Sequence, residues 1–470
     1  MGLSETLENY FDVQEHGSSV RTELLAGLTT FLTMSYIVVV NPSILTDQPN
    51  IPGADGISIA GIPPGEIQSM LAVVTIIAAA TATFVMAVYA NRPFAQAPGL
   101  GLNAFFAFTV VSALGVPWQT ALAAVVVEGI IFIILTAIGA REYVIKLFPQ
   151  PVKFAVGTGI GLFLAIIGLQ AMGVVVDDAA TLVSMGSIAS NPVAIVSVVG
   201  LFVTFALYAR QVPGSIIIGI VFTSVLGWLV TAFGPVAADA GLVASSTPVT
   251  YDITPLAGAF VSGLSDVEAF TFALVVFTFF FVDFFDTAGT LVGVGQAGNF
   301  LDDDGDLPEI DKPLMADAVG TTVGGMLGTS TVTTYIESAS GVDEGGRTGL
   351  TALTVAALFL ASLALVPLAA AIPLYASHIA LVVIGVVMLR NVVDIDWQDL
   401  TQAIPAGMTI LVMPFAYSIA YGIAAGIVSY PLIKAAAGQT DDVRLGHWAL
   451  AGAFVVYFVV RTGGVLAAQV

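Results

Sequence analysis

The chain has 470 residues, of which 57% are hydrophobic and 10% are charged, and it contains no cysteine. Soluble domains carry about 25% charged residues, so this composition excludes an ordinary water-soluble protein. The lack of cysteine excludes disulfides and thiolate metal sites. The formal net charge of −21 excludes a basic nucleic-acid interface. It favours an organism living in high salt, where surface acids keep proteins soluble, although a chain without basic soluble domains would also be acidic.

Apolar segments follow one another along the whole chain, and most approach the roughly 20 residues that cross a hydrocarbon core of about 30 Å. They predict an all-α polytopic membrane protein with 14 transmembrane spans. In chain order the predicted spans are 22–46, 67–90, 102–114, 117–139, 152–175, 192–209, 213–233, 266–294, 312–328, 335–345, 348–371, 374–391, 402–415 and 417–436. A weaker segment at 447–461, within a C-terminal segment at 437–470, is interpreted as an interfacial helix.

The basic residues orient these spans, because cytoplasmic loops of membrane proteins collect lysine and arginine. The outside loops of the 14-span arrangement, at 47–66, 115–116, 176–191, 234–265 and 372–373, contain neither residue. The inside segments receive Arg21, Arg92, Arg141, Lys146, Lys153, Arg210, Lys312, Arg347, Arg390, Lys434 and Arg444. We therefore predict a multi-pass protein of the cell membrane with both termini, including residues 1–21, in the cytoplasm.

Fourteen spans divide into two halves of seven, and a weak internal similarity supports this division. The pattern Ser-Ile-x-x-Gly-Ile occurs at 215–220 in the seventh span and at 418–423 in the fourteenth. Because seven is odd, the two halves would have opposite orientations. Inverted repeats of this kind place a substrate site near the middle of the membrane, at interrupted helices.

Interrupted helices are predicted at corresponding places in the two halves. Residues 95–103 contain Pro98 and two glycines, which break a helix, and they lead into the short third span. Residues 328–337 are rich in threonine, which favours extended chain, and they lead into the short tenth span. The sequence therefore predicts short extended segments before two half-helices, whose free N–H groups favour an electron-rich ligand.

Acidic residues inside the predicted spans mark the candidate site. Asp283, Asp286 and Thr287 share one face of the eighth span, and Glu337 begins the tenth-span half-helix. An ionised acid at the centre of a bilayer costs about 2.5–3.5 kcal/mol on insertion scales, so such acids are usually functional. The structural alternative for Glu337 is capping a helix, and for Asp283 or Asp286 it is capping a helix or bonding the facing backbone. The sequence leaves open the roles of Glu128, in the fourth span, and Asp317, in the ninth.

Close carboxyl groups in a low dielectric cannot all be ionised, which suits a proton relay or a proton-coupled symporter. A protonated carboxyl both donates and accepts hydrogen bonds, so the site would match flat, polar heterocycles. An anion carrier on the same kind of fold is the alternative, but it would need positive charge at the site. An intramembrane aspartyl enzyme is also disfavoured, because its two carboxyls normally come from different helices. No Walker motif, metal site or other cofactor site is predicted.

The chain resembles the azaguanine-type purine permeases for adenine, guanine and hypoxanthine, a branch of the nucleobase–cation symporters and nucleobase–ascorbate transporters. The resemblance covers essentially the whole chain. The motifs that carry it are EHG at 15–17, RTE at 21–23, TTFLTM at 29–34, NP at 41–42, APGLGLNAFF at 97–106, FDTAGTLVG at 285–293 and GTSTVTTYIES at 328–338.

This resemblance implies two inverted seven-span repeats arranged as a core domain (22–139 and 266–371, spans 1–4 and 8–11) and a gate domain (152–233 and 374–436, spans 5–7 and 12–14). It implies import of purine nucleobases by proton symport with alternating access. The substrate-binding residues that it implies are Asn103, Asp286 and Glu337, with backbone groups of Tyr335 and Ile336. Asp283, with Thr287 and Thr290, is expected to couple protons or to shape the site. The preferred purine, sodium in place of the proton, and a homodimer remain open.

Overall fold

The computed structural model describes residues 3–47, 55–139, 149–234, 236–237, 240–244, 248–265, 269–302 and 307–462. Within these ranges, nine helices are long and apolar enough to cross a membrane, and four shorter apolar helices accompany them. The prediction of a multi-pass helical membrane protein is confirmed. The structure does not describe the acidic segment 303–306, the basic residues Arg141 and Lys146, or residues 463–470 of the predicted C-terminal segment.

The helices follow the predicted order closely. The first half contains α1 (Leu3–Tyr10), α2 (Val20–Met34), α3 (Ile37–Leu45), α4 (Pro64–Val85), α5 (Leu100–Ala104), α6 (Trp118–Ala137), α7 (Gln150–Ala171), α8 (Pro192–Ala209) and α9 (Ser215–Phe233). The second half contains α10 (Phe260–Gly263), α11 (Ala269–Ala297), α12 (Asp311–Leu327), α13 (Ser338–Asp343), α14 (Gly349–Ala361), α15 (Val366–Ala370), α16 (Leu374–Met388), α17 (Leu400–Phe415), α18 (Ile419–Ala436) and α19 (Leu445–Thr462). Two helices continue as wider π-helical turns, α4 through Met86–Ala90 and α5 through Phe105–Ala113.

Four short strands accompany the helices: β1 (Gln96–Pro98), β2 (Val175–Asp178), β3 (Leu182–Met185) and β4 (Val332–Thr334). β2 and β3 form an antiparallel hairpin between α7 and α8. The other two strands pair antiparallel although they are far apart in the sequence, with Gln96 opposite Thr334 and Pro98 opposite Val332.

The pairing of β1 with β4 continues beyond the two strands. Gly99 N–H donates to the Thr331 carbonyl oxygen at 3.0 Å, and Tyr335 N–H donates to the Ala95 carbonyl oxygen at 3.0 Å. Non-helical backbone at membrane depth needs internal hydrogen-bond partners, and each broken helix supplies them to the other. The predicted extended segments before the third and tenth spans are therefore confirmed.

The half-helix after β4 is shorter than predicted. The sequence places a span at 335–345, whereas α13 covers only Ser338–Asp343. The residues before it form a turn, in which Ser338 N–H donates to the Tyr335 carbonyl oxygen at 3.1 Å. Because the strand hydrogen bonds extend to Tyr335, the helix starts only after this turn. Glu337 is the residue that precedes its first turn.

The first predicted span, 22–46, is divided into α2 and α3 by a break at Ser35 and Tyr36. Glu23 on α2 is fully buried and accepts hydrogen bonds from the backbone N–H groups of Arg347 (2.9 Å), Thr348 (3.3 Å) and Thr351 (3.2 Å). These N–H groups belong to the start of α14, where a helix leaves its first donors unpaired. A buried carboxylate of one helix thus caps another.

The chain divides into two compact units. One consists of Met1–Ile138 and Ile167–Val383, and the other of Gly139–Ile166 and Ile384–Val470. In the first unit α12 packs against α4 and α6, and α14 packs against α2 and α4. In the second unit α17 packs along α18 and α18 packs against α19. All predicted site residues belong to the first unit. The core and gate domains, and the interfacial placement of 447–461, stay predictions.

Candidate functional site

The intramembrane acids fall into two sets that differ in burial. Glu128, Asp283 and Asp317 have no exposed surface. Asp286 and Glu337, in contrast, keep partial exposure. A carboxylate that binds a ligand must be reachable, whereas a fully buried one can act only on neighbouring protein groups. The structure therefore separates two candidate ligand-binding acids from three internal ones.

Asp286 lies beside the start of the first half-helix. A Cβ atom built on Gly99, the residue before α5, would lie 3.8 Å from Asp286 Oδ2 and 2.7 Å from Thr333 Cγ2. Any side chain at position 99 would therefore collide with Thr333 of β4, and its Cβ atom would lie in van der Waals contact with the carboxylate. Glycine at this position allows α11, β4 and α5 to meet around Asp286.

The face of α11 that carries Asp286 is lined by small residues toward its C-terminal end. Gly289 and Gly293 follow Asp286 at helical spacing, so all three lie on one side of the helix. A Cβ atom on Gly289 would meet nothing within 4 Å, whereas one on Gly293 would lie 3.3 Å from Ile336 Cδ1. This glycine face therefore has open space at Gly289, and Ile336 lies against it at Gly293.

Glu337 lies between β4 and α13. Its side chain makes no capping hydrogen bond to α13, so the capping role that was its structural alternative is not observed. Instead, the Tyr36 hydroxyl donates to Glu337 Oε1 at 2.6 Å, across 301 positions of sequence. Tyr36 is 1% exposed and therefore holds the carboxylate from the protein interior.

Tyr335 and Ile336 fix the turn between β4 and Glu337. The Tyr335 hydroxyl donates to the Pro98 carbonyl oxygen at 2.5 Å. Both backbone polar groups of Tyr335 are engaged within the chain, by Ala95 and Ser338. The Ile336 carbonyl oxygen accepts from Ala339 N–H at 3.0 Å. The roles predicted for these backbone groups in contacting a purine stay predictions.

Asn103 lies in α5 and is fully buried. Its Oδ1 atom accepts a short hydrogen bond from the Ser330 hydroxyl. Its Nδ2 atom is buried and has no hydrogen-bond partner among the described residues. The side chain therefore links the two helix breaks through its oxygen. Because the side chain has no exposed surface, its predicted contact with a substrate stays a prediction.

Asp317 is the centre of the internal set. Its Oδ1 atom accepts from Gln96 Nε2 at 2.8 Å and from the Thr334 hydroxyl at 2.9 Å. Its Oδ2 atom accepts from the Thr287 hydroxyl at 2.6 Å. Three donors aimed at one buried carboxyl suit its ionised form. Asp317 thereby joins β1, β4 and α11 to α12.

Asp283 and Thr287 connect this centre to the rest of α11. The Thr287 hydroxyl lies 3.2 Å from Asp283 Oδ1 and 2.6 Å from the Thr333 hydroxyl. Thr290 follows on the same side of the helix and is partly exposed. Glu128 of α6 accepts from the Thr331 hydroxyl at 3.1 Å. The structure thus brings every predicted site residue into one region of the first unit.

Two residues of this region were missed by the sequence analysis. Gln96 lies beside the APGLGLNAFF motif, but nothing in the sequence distinguishes it from a loop glutamine. Its side chain also lies 3.3 Å from the Thr334 hydroxyl. Tyr36 lies at the break of the first span, where no proline or glycine marks the interruption. A polar aromatic residue in an apolar segment is the one signal that the sequence offered for it.

No predicted site residue takes part in an ion pair within the described part of the chain. Among the described residues, the ion pairs join Lys312 to Glu309 and Lys434 to Asp442, outside this cluster. Across all the residues that the structure describes, no group of three or more His, Asp or Glu side chains is arranged to hold a metal ion. The arrangement can therefore bind ligands through carboxyl, hydroxyl and amide groups, and it can exchange protons.

Comparison with known proteins places the chain among permeases. The Xan_ur_permease profile, described as a permease family, matches residues 21–425. Adenine permease AdeP of Escherichia coli (strain K12) is 40% identical over 439 residues, covering 93% of this chain and 92% of AdeP. Guanine/hypoxanthine permease PbuO of Bacillus subtilis (strain 168) is 40% identical over 438 residues, covering 92% of this chain and 96% of PbuO.

A solved structure shares the fold. The transmembrane domain of the cyanobacterial bicarbonate transporter BicA matches with a TM-score of 0.58 and 15% identity, covering 86% of this chain and 97% of that domain. At this identity the likeness concerns the fold alone. The resemblance drawn from the sequence motifs is confirmed by the family match and the relatives. These relatives are permeases and not enzymes, as the sequence predicted.

Proposed function

Because the chain belongs to the Xan_ur_permease permease family, we propose that it imports purine nucleobases such as adenine, guanine or hypoxanthine. The relatives that support this substrate class are named as adenine and guanine/hypoxanthine permeases. Import is driven by cation symport, with the proton as the coupling ion, and proceeds by alternating access.

The observation that carries the proposal is the pair of partly exposed carboxyls, Asp286 and Glu337, at the crossing of two broken helices. Asp286 has the glycine face of α11 beside it, and Glu337 is held by the Tyr36 hydroxyl. Nucleobases are flat and present N–H donors and ring-nitrogen acceptors along one edge. Carboxyl groups accept from such N–H groups, and a charge-assisted hydrogen bond is roughly twice as strong as a neutral one.

The wider architecture in this proposal follows the sequence analysis. It has 14 spans in two inverted repeats, core and gate domains, and both termini on the cytoplasmic side of the cell membrane. The crossing of β1 with β4 supports the inverted repeat, because equivalent breaks in two oppositely oriented halves would meet at the middle of the membrane. Sodium as the coupling ion remains the alternative to the proton.

No observation favours the alternative of an anion carrier. The fold likeness to a bicarbonate transporter concerns the fold alone. The predicted site contains several acids and lacks a basic partner among the described residues. Carboxylates would repel an anion, whereas they suit the N–H edge of a neutral purine.

Uptake of labelled adenine, guanine and hypoxanthine into cells that lack their own purine carriers tests the proposal. Asp286→Ala and Glu337→Ala should each weaken purine binding by roughly 10- to 150-fold, the equivalent of a lost hydrogen bond to a charged group of about 1.5–3 kcal/mol. Glu66→Ala, at the start of α4, is the matched control and should bind like the wild type. Absence of uptake for every purine at neutral and acid pH would refute the function, and wild-type affinity in both site variants would refute the site.

A further inference from the structure

A polar cavity of about 670 Å³ lies within the second compact unit, whereas all the predicted site residues belong to the first. The first turn of α7, the C-terminal end of α18 and the segment that leads from there into α19 line it. Of the chain's 12 lysine and arginine residues three line this cavity, although the whole chain has a net charge of −21. The charged residues and the histidine of the lining are Lys153, Lys434, Asp441, Asp442, Arg444 and His447.

Two of the basic groups lie deeper than the acids. The Lys434 side chain is 9% exposed, whereas that of its ion-pair partner Asp442 is 58% exposed. His447 is 6% exposed, whereas Asp441 and Arg444 are exposed. The lining contains three cations and two acids, so it carries one net positive charge while the histidine is neutral. An anion that enters the cavity therefore reaches basic groups inside it and leaves the acids at the rim.

Lys434 keeps a hydrogen-bond donor for a ligand. Its Nζ atom donates to Gln439 Oε1 at 2.7 Å and to Asp442 Oδ2 at 2.9 Å. An ammonium group has three N–H donors, so one of them stays unused within the described residues. The segment after α18 also folds back onto the helix, because Gln439 N–H donates to the Lys434 carbonyl oxygen at 2.9 Å. The cation is therefore already held in place, which lowers the cost of binding a ligand.

His447 supplies a second donor. Arg444 N–H donates to His447 Nδ1 at 3.2 Å, so Nδ1 is an acceptor and the neutral ring carries its hydrogen on Nε2. The ring packs edge-on against Tyr430, with centroids 5.2 Å apart and planes at 86°, and this packing fixes its direction. Nε2 makes no hydrogen bond within the part of the chain that the structure describes. A largely buried N–H donor in a cavity that also holds cations suits an anion with several oxygen atoms.

We propose that this cavity binds a phosphate group, presented by an anionic phospholipid or by a soluble phosphate compound. Phosphate has several acceptor oxygens, and lysine and arginine are its usual ligands in proteins. Both α7 and α19 begin at the cavity, and the N-termini of helices favour an anion. All three cations belong to the predicted inside segments, so the site lies on the predicted cytoplasmic side, where anionic lipids attract basic residues.

Exposed apolar residues beside the cavity favour a lipid as the source of the phosphate. Leu445 and Trp448 are both exposed at the start of α19. Tryptophan is enriched at membrane–water interfaces. A lipid with its headgroup in the cavity would place its acyl chains along these side chains, whereas a soluble phosphate compound would gain nothing from them. The proposed site is separate from the proposed purine transport and does not depend on it.

Full-length protein in detergent tests the proposal with two probes. Native mass spectrometry measures the binding of phosphatidylglycerol, with phosphatidylcholine as the lipid without net charge, and calorimetric titration measures the binding of inorganic phosphate. Lys153→Gln combined with Arg444→Gln should weaken binding by roughly tenfold or more, the loss expected for at least one hydrogen bond between charged groups. Arg210→Gln combined with Lys312→Gln is the control, because it removes the same two charges from positions outside the cavity, and it should bind like the wild type.

The two probes distinguish the two sources of phosphate. Binding of phosphatidylglycerol without binding of inorganic phosphate supports a lipid headgroup, and binding of inorganic phosphate that falls in the double variant supports a soluble compound. The proposal is overturned if the wild type binds neither probe, if it binds phosphatidylcholine as tightly as phosphatidylglycerol, or if the double variant loses no more binding than the control.

If the double variant does not fold, His447→Phe decides, because it keeps a ring against Tyr430 and removes the Nε2 donor. We expect it to weaken binding about fivefold, the loss of one hydrogen bond of about average strength. Binding equal to that of the wild type would overturn the proposal. Purine transport enters none of these measurements, so a failure of the proposed function leaves their result unchanged.

Discussion

The Tyr36 hydroxyl donates to Glu337, which lies 301 positions later in the sequence. The position of the proposed purine ligand therefore depends on Tyr36 as well as on Glu337. Tyr36→Phe removes this bond and leaves the packing of the ring in place. The 2.6 Å separation is typical of a hydroxyl that donates to a charged carboxylate. Such a bond contributes about 1.5–3 kcal/mol. Without it, Glu337 loses the group that holds it toward the crossing of β1 and β4.

We expect Tyr36→Phe to weaken purine binding by roughly tenfold, near the lower end of that energy range, because Glu337 itself remains. The effect should disappear in a Glu337→Ala background, since Tyr36 then has no carboxylate to position. Calorimetric titration of the two single variants and the double variant gives the coupling energy directly. Tyr10→Phe is the control, because the exposed Tyr10 hydroxyl makes only a 3.4 Å contact with a backbone carbonyl oxygen.

Two results would refute this reasoning. Wild-type affinity in Tyr36→Phe would mean that Glu337 needs no positioning or does not contact the purine. Additive losses in the double variant would mean that Tyr36 acts on the ligand independently of Glu337. Melting curves in detergent, recorded without purine, would show whether a lower affinity reflects unfolding instead.

The remaining predictions concern stability and the shape of the site. Glu23→Ala should lower the free energy of unfolding in detergent by about 1.5–3 kcal/mol or more, because several N–H groups at the start of α14 lose their buried acceptor. Glu66→Ala is the control and should leave the melting temperature unchanged. An equal fall of the melting temperature in both variants would contradict the capping role of Glu23. Gly289→Leu should fold normally, because nothing lies within 4 Å of a Cβ at that position, and should block purine binding beside Asp286. Gly407→Leu is the control, because this glycine also has open space, and it should leave purine uptake unchanged. Normal purine uptake by Gly289→Leu would argue against a purine bound beside Asp286.

The sequence predicted the features that depend on local chemistry. Pro98 with its flanking glycines, and the threonines at 329–334, identified two breaks, and the structure has an extended segment at each. The intramembrane acids were found because charge is rare and costly in an apolar span. These signals come from residue types at single positions, and they need no knowledge of which helices are neighbours.

The contacts between distant segments could not be predicted in the same way. Helical spacing shows which residues share a face of one span, but not which span that face meets. Gln96 and Asp317 are 221 positions apart, and Glu128 belongs to a different helix from Asp283. The division of the acids into exposed and internal sets therefore emerged only when all the spans were placed together. The sequence grouped Asp283 with Asp286 because they are neighbours on one helix, whereas in the structure Asp283 is fully buried and Asp286 is partly exposed.

The strand β4 and the residue before it explain how one short segment can contact internal acids that belong to different helices. Side chains alternate in direction along an extended chain. The Thr331 and Thr333 hydroxyls hydrogen-bond to Glu128 and Thr287, while the Thr334 hydroxyl, on the opposite side, donates to Asp317. In a helix the same hydroxyls would point in different directions around the axis. An extended strand rises about 3.3 Å per residue and places alternate hydroxyls on the same side. Glu337 lies three residues after Thr334, so a shift of this strand would move its contacts with the internal acids and the proposed purine site together.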